Sequence, residues 1–520
     1  MGRLFYHPAQ GHAFAPFPPA PRTMRFLRVI PALSAILAAT PALAQQSDCP
    51  VDVYQPALLA QSGLTISRAA QMGEAPEAQK VLRDAMKFLQ DEKKLAANPV
   101  GAGFLRAQIY VLWMHQPGVG SSLTNEQLGT RGVKTDKVDI LHATDSLLKA
   151  VEAVAPACAG ETVQWRGSKP WTDRINKAYT FLGADAIDSA EVYAKESAVL
   201  NSNSPFVHNI FAQIANKRGD TPGMLTHLRV AITQAQKDTS LAETLKQMQF
   251  QLAQTAQGYA MTGGAAQKAT LNKEALDIFT MLLRQSPGTS EGSYAFSAAS
   301  EIIGLNQDST AARELLAPMV ADPAPYSDLT LLLAADLARS FSRSEDAMAM
   351  YVGALAKNPN IRDANYFLAY MYYEAKKPEL MLPLTDKLIA IDPSNGDNYL
   401  MRAYAYQLMS QAERDPRKKA ELVKMQDEFA GKENALSTQH KLLITRFERR
   451  KEGASLGGAI ENLSKTVRSF TLKMEFLDAA GNVVDTISTE VANVKPGERG
   501  AFELVPTKPG IVAYRYEALK

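Results

Sequence analysis

The seven histidines and two cysteines of this 520-residue chain are the side chains best suited to holding a metal or attacking an electrophile. Their spacing assembles neither chemistry. Five histidines lie beyond residue 44, namely His115, His142, His208, His227 and His440, and they are scattered. No HExxH is present, and two distant cysteines make no structural zinc site. There is no GxSxG elbow, no GxxxxGK[ST] loop and no SxxK with a partner; Gly118 to Ser122 opens like a glycine-rich loop and then lacks its lysine. Carboxylate pairs such as Asp336 with Glu345, or Asp363 with Glu374, occur in any helical protein. The expectation is a chain with no catalytic residues, no metal and no cofactor.

Binding chemistry is better represented. Tyr366, Tyr370 and Tyr373 stand at i, i+4 and i+7 of one helical face, with Leu368, Ala369 and Tyr372 about half a turn away on the packing face. A tyrosine row suits an extended peptide or a sugar, because each ring buries apolar area while its hydroxyl keeps a hydrogen-bond partner. Asp363, Glu374 and Asp397 would give such a row an acidic margin. The alternative is that neighbouring helices or the C-terminal domain cover these rings.

The elements that position this row follow from an internal period. Pro287, Pro323, Pro359 and Pro393 recur at nearly equal intervals, the first two of them identical. Apolar residues at helical spacing precede them, as Ala275, Phe279 and Leu282 do before Pro287, and Ala347, Tyr351 and Ala354 before Pro359. Before each of these lies another helix with small or apolar pairs on one face: Ala334, Ala335 and Ala338, then Leu368, Ala369 and Tyr372. Here the chain resembles the tetratricopeptide repeat (TPR) family, best over 328 to 361 and 362 to 395, with Pro205 to Asp238 as a further unit that would bring His208 near His227. Within that unit the approach of the two histidines is one reading, and exposed or structurally satisfied histidines are the favoured alternative. The resemblance covers roughly residues 180 to 410 and implies an α-solenoid of helix pairs. It also implies that first-helix residues off the packing face line an inner, concave surface, where Tyr404, one repeat after Tyr370, would stand beside the row. The family's early tryptophan is missing: Leu331, Asn365 and Tyr399 stand there. Thr385 replaces an aromatic, and Pro318 and Pro383 fall inside second helices, inviting kinks.

Upstream, Met24 to Ala44 has a basic start at Arg25 and Arg28, an apolar run from Val29 to Ala39, and small residues before a cut between Ala44 and Gln45, which together read as a cleavable signal peptide. Its apolar run is too short to span a bilayer. Residues 1 to 44 form a leader, with Met24 a candidate initiator. Removing them takes away four arginines and no acids, leaving 52 basic against 54 acidic groups, a net −2 that argues against nucleic acid. No later segment reaches spanning length, so a soluble exported protein, periplasmic or extracellular, is expected. In an oxidising compartment Cys49 and Cys158 are expected to pair, the alternative being two free thiols.

Residues 45 to 180 read as a helical capping region, 181 to 410 as the solenoid, and 411 to 453 as connecting helices whose charges are interleaved with acids like a solvated face. After about residue 453 the period changes to two: Phe470, Leu472, Met474 and Phe476 alternate with polar residues, and Gly481-Asn482 and Pro496-Gly497 turn the chain. Residues 454 to 520 thus form a small antiparallel sandwich. The run from Ala459 through Phe476-Leu477-Asp478 to Phe502 resembles the small immunoglobulin-like (FxLYD-like) domains of exported bacterial proteins, which implies a binding or spacer module. The fold class is mainly α, a solenoid followed by a small all-β domain. The expected function is an exported, non-enzymatic envelope scaffold binding a protein or peptide; the alternatives are an enzyme or accessory acting on envelope polysaccharide or peptidoglycan, and a self-associating structural subunit.

Overall fold

A computed structural model describes residues 49–519. The signal-peptide reading at Met24 to Ala44, with its cut before Gln45, lies outside the described residues. The chain divides into two compact units between Thr172 and Asp173.

The first unit holds α1 (Ala57–Met72), α2 (Pro76–Phe88), α3 (Glu92–Leu95), α4 (Pro99–Met114), β1 (Ser122–Thr124), α5 (Asn125–Leu128), β2 (Lys137–Asp139), α6 (Ile140–Val154) and α7 (Ala159–Arg166). The apolar α4 is buried on nearly every side, so it forms the unit's centre. Strands β1 and β2 pair antiparallel within the region read as a helical cap. Cys49 and Cys158 form a disulfide that packs with Phe104, Leu148 and Val151. Closing a loop of 109 residues stabilises the fold by roughly 4–5 kcal/mol on the chain-entropy account.

In the second unit the helices run in pairs. After α8 (Lys169–Gly183), which begins just before the division, and α9 (Ile187–Leu200) come α10 (Pro205–Lys217) with α11 (Thr221–Ala235), α12 (Ala242–Ala260) with α13 (Ala265–Gln285), and α14 (Ser290–Asn306) with α15 (Ser309–Ala321). Then α16 (Asp328–Ser340) pairs with α17 (Ser344–Lys357), α18 (Arg362–Glu374) with α19 (Pro378–Ile391), and α20 (Gly396–Ala412) with α21 (Pro416–Ser437). Ala334, Ala335, Ala338, Ala347, Tyr351 and Ala354 are all fully buried, so small residues on one helix meet larger ones on the next. One continuous core runs from Ala212 to Met371.

Five of the tight turns between consecutive helices use the same device. Asp185, Gly219, Gln307, Ser342 and Lys376 have φ between 50° and 74°. Beyond each, the next amide reaches back to a carbonyl five residues earlier: Asp220 to Ala215, Arg343 to Ala338 and Lys377 to Tyr372, all at 2.9 Å. This is a Schellman closure, and it repeats with the helical hairpins. Ends are marked as consistently. Pro287, Pro323, Pro359 and Pro393 each follow the last residue of a second helix by two positions, where no backbone amide is needed. Pro318 and Pro383 do lie inside α15 and α19. Where the TPR pattern has a tryptophan, the buried Asn365 instead donates to the carbonyls of Pro359 (3.0 Å) and Ile361 (2.8 Å), tying the loop to α18.

The reading of residues 411 to 453 as connecting helices is corrected by the structure. Past the end of α20 at Ala412, Pro416–Ser437 is helical and His440–Arg450 is a strand, β3. The basic run from Arg446 obscured its alternation, which a bulge between Ile444 and Arg446 also breaks. With β4 (Gly453–Asn462), β5 (Arg468–Leu477), β6 (Val483–Val494), β7 (Arg499–Leu504) and β8 (Ala513–Tyr516) it builds two antiparallel sheets, β3-β4-β7 and β6-β5-β8. Phe470, Leu472, Met474 and Phe476 from β5 fill the space between them. Edge strand β8 lies against the solenoid at α19, which protects its unpaired backbone.

Candidate functional site

The first helices α16, α18 and α20 bring Asp336, Tyr370 and Tyr404 into equivalent places, each one repeat from the next. Tyr370 is exposed, at 37% of its surface. The other tyrosines are half-buried, because α20 packs on α18: Tyr366, Tyr373 and Tyr404 border a core of Ala369, Met381, Met401 and Ala405. Tyr373 and Tyr404 stack with ring centroids 5.2 Å apart, while Tyr366 meets Phe367 edge-on at 5.6 Å. The row is therefore one wall shared by packing and surface. Burial, with the nearby charge of Asp397, raises the Tyr366 hydroxyl above its ordinary range, Arg362 partly opposing. Tyr404 is raised by burial and then by Tyr373, Glu433 and Asp397.

The three acids separate. Asp397 and Glu374 are exposed, Asp397 beside Tyr366 and Tyr404. Asp363 instead pairs with Arg362 at 2.8 Å and acts on the half-buried Tyr514 of β8, so it belongs to the seam with the sandwich.

Sequence reasoning missed the residues on α16 that continue the row. Asp336 accepts the hydroxyl hydrogen of Tyr351 at 2.6 Å and lies 3.6 Å from Arg339. Burial pushes its carboxyl up to about 6, Tyr351 and Arg339 opposing. The Arg339 guanidinium lies over the Phe367 ring at 4.0 Å, a cation–π contact joining α16 to α18. Counting one repeat back from Tyr370, as from Tyr404 to Tyr370, leads to Asp336.

Further along the same row of first helices, Phe250 of α12 meets the exposed Tyr294 of α14 at 5.9 Å, and Gln257 donates to Glu301 at 3.1 Å. The arrangement offers aromatic faces, hydroxyls and carboxylates to a chain laid across successive helices. Among the described residues no group of three or more His, Cys, Asp or Glu is placed to hold a metal ion. No helix among them is long and apolar enough to cross a membrane.

No family model matches the sequence, and no curated protein matches it. Solved structures similar to it include a tetratricopeptide repeat protein from Parabacteroides merdae, at 14% identity over 49% of this chain and 98% of that one, with a TM-score of 0.26. Others are an assembly chaperone of RpL4, at 18% identity over 47% and 98% with a TM-score of 0.25, and the TPR2AB domain of yeast Sti1 in a pHSP90 complex, at 13% over 52% and 93% with a TM-score of 0.25.

Proposed function

The helix pairs, their repeated turns and the row of first-helix side chains form the premise from which we propose that this chain is an exported, non-catalytic scaffold that binds an extended protein segment in the cell envelope. The observation that carries the reading is the recurrence of Asp336, Tyr370 and Tyr404 at equivalent places on three successive first helices. A polypeptide laid across them meets one repeat after another, its apolar groups against Tyr370 and Phe367 and its basic groups near Asp397 and Glu374. The inner faces of first helices are where the TPR resemblance places a bound segment. Export is supported by the Met24 to Ala44 pattern and by the Cys49–Cys158 pairing, a bond that persists in oxidising compartments. The six-stranded C-terminal domain reads as an immunoglobulin-like spacer fixed to the last repeats.

A photo-crosslinking residue placed at Tyr370 tests the binding face in living cells, with Lys357 of α17 as a surface control. Crosslinks to one polypeptide at 370 and not at 357 support the scaffold reading. Crosslinks at neither, or only to a second copy of the chain, sink it. Intact mass of the exported protein, starting at Gln45, tests the leader.

A further inference from the structure

His208 on α10 and His227 on α11 face each other across the groove of one helical hairpin, with their Nδ1 atoms 3.3 Å apart. The ring centroids are 5.6 Å apart, and Phe211 packs against His227 at 5.2 Å. His208 Nε2 lies 3.2 Å from the carbonyl of Ser202. A carbonyl only accepts, so Nε2 carries the hydrogen and Nδ1 of His208 presents a lone pair. His227 Nδ1–H then donates to it. Both imidazoles are half-buried, and that burial depresses their affinity for protons.

We propose that this pair is a binding site for a borderline divalent cation of the Zn²⁺, Co²⁺ or Ni²⁺ class. Ions of this class take imidazole nitrogen at about 2.0–2.1 Å, and two ligands on one tetrahedral ion then stand about 3.3–3.4 Å apart, the separation that the two helices already impose. The Ser202 carbonyl does for His208 what outer partners do for metal-bound histidines, fixing the tautomer and the ring. Binding replaces the shared hydrogen: His227 moves its proton from Nδ1 to Nε2 through solvent, both Nδ1 lone pairs turn to the ion, and no net proton is released. The rings now meet almost end to end, so the ion enters by tilting them while the helices stay in place. Two protein ligands leave the remaining positions to water. Asp220, the residue capping α11 two turns before His227, has its carboxylate engaged with the amide of Gly223 at 2.9 Å and adds negative charge nearby. The ligand-type rule excludes Mg²⁺ and Ca²⁺, which require oxygen donors.

The test is titration of the full, untagged chain with Zn²⁺ by calorimetry, together with the visible spectrum of the Co²⁺ form. The expected result is one saturable equivalent, an absorption band stronger than that of the hexaaquo ion, and at least a ten-fold loss of affinity in His208→Ala and in His227→Ala. Circular dichroism checks that each variant keeps its helices, and His208→Gln, which retains hydrogen bonding, serves if alanine disturbs the hairpin. Wild type and the folded variants binding alike, or wild type showing no saturable binding, overturns the site and leaves a hydrogen-bonded pair.

Discussion

Tyr516, in the last strand, donates its hydroxyl hydrogen to Asp392, in the loop between α19 and α20. The same carboxylate accepts from Arg362 Nε at 2.7 Å and from Asn395 at 2.9 Å, and the residue is only 5% exposed. Burial works against the charge of Arg362, and Asp392 and Asp363 more than offset it, raising its pKa. Ser394 extends the seam by accepting the amide of Leu519 at 2.9 Å, while Arg449 of β3 reaches Asp328 of α16, also at 2.9 Å. The sandwich is thus fastened to two successive repeats through buried and half-buried charge. Replacing Asp392 with Ala strands Arg362 without its main partner, and a loss of about 3–5 kcal/mol is expected in urea unfolding. Tyr516→Phe, which removes the hydrogen bond to the Asp392 carboxylate and the one accepted from the Ser394 amide at 3.3 Å, is expected to cost about 1.5–3 kcal/mol. Equal stability of Asp392→Ala and wild type would show that the seam is not a structural bond.

The repeated left-handed turns make a second prediction. Ser342 and Lys376 hold φ values of 57° and 53° with a Cβ present, where the equivalent residue of another hairpin is Gly219. Relief of that strain exceeds the added freedom of the unfolded chain, so Ser342→Gly and Lys376→Gly should each raise stability by about 0.5–1 kcal/mol. Ala390→Gly, inside α19, should lower it by about 1 kcal/mol. Thermal melts of the three variants decide whether the turns carry strain.

Within the tyrosine row, packing and surface can be separated. Tyr370→Ala should leave stability within about 0.5 kcal/mol, since the ring is exposed. Tyr404→Ala, which loses its stack on Tyr373, should cost about 1–2 kcal/mol. If Tyr370→Ala proves the more damaging in chemical denaturation, its ring is a packing element and the proposed binding face must be redrawn.

Asp336 predicts a pH dependence. Its folded carboxyl titrates near 6, against about 3.9 when unfolded, so the folded state binds the extra proton between those values. The stability tied to this group is present below the unfolded value and lost as pH rises through about 6. Asp336→Asn still accepts from Tyr351 and carries no charge. It should be more stable than wild type at pH 8, by up to about 3 kcal/mol, and show no advantage near pH 4. A constant difference across that range would mean that the carboxyl does not titrate as its burial requires.

His440 runs the other way. It is 5% exposed at the head of β3, its ring meets Phe470 edge-on, and neither ring nitrogen has a hydrogen-bond partner. Burial, and then the positive charge of Arg468 on β5, lower its pKa. The stability held by neutral His440 is present above the unfolded value of about 6.5 and is lost as pH falls from there through the folded one. His440→Phe should therefore flatten the decline in melting temperature between pH 7 and 5. Parallel declines in both proteins would refute a buried neutral histidine.

The sequence by itself determined the solenoid, because the even proline beat, the small-residue pairs and the helical period are all local patterns that burial then obeys. It also determined the small β domain, where alternation is clean from Phe470 to Phe476. It misjudged β3, because a strand at a sheet edge tolerates the charges that made residues 446–451 look like a solvated helix. Tertiary structure alone decided which tyrosines remain at the surface. The spacing of Tyr366, Tyr370 and Tyr373 puts them on one face, but whether that face meets water depends on how close α20 stands, which is set by Ala369, Met401 and Ala405. It also decided the company of Asp336, Asp363 and Asp392. A carboxylate's role follows from the partners and the dielectric around it, and those come from elements far apart in the chain, as when Tyr516 reaches back to Asp392.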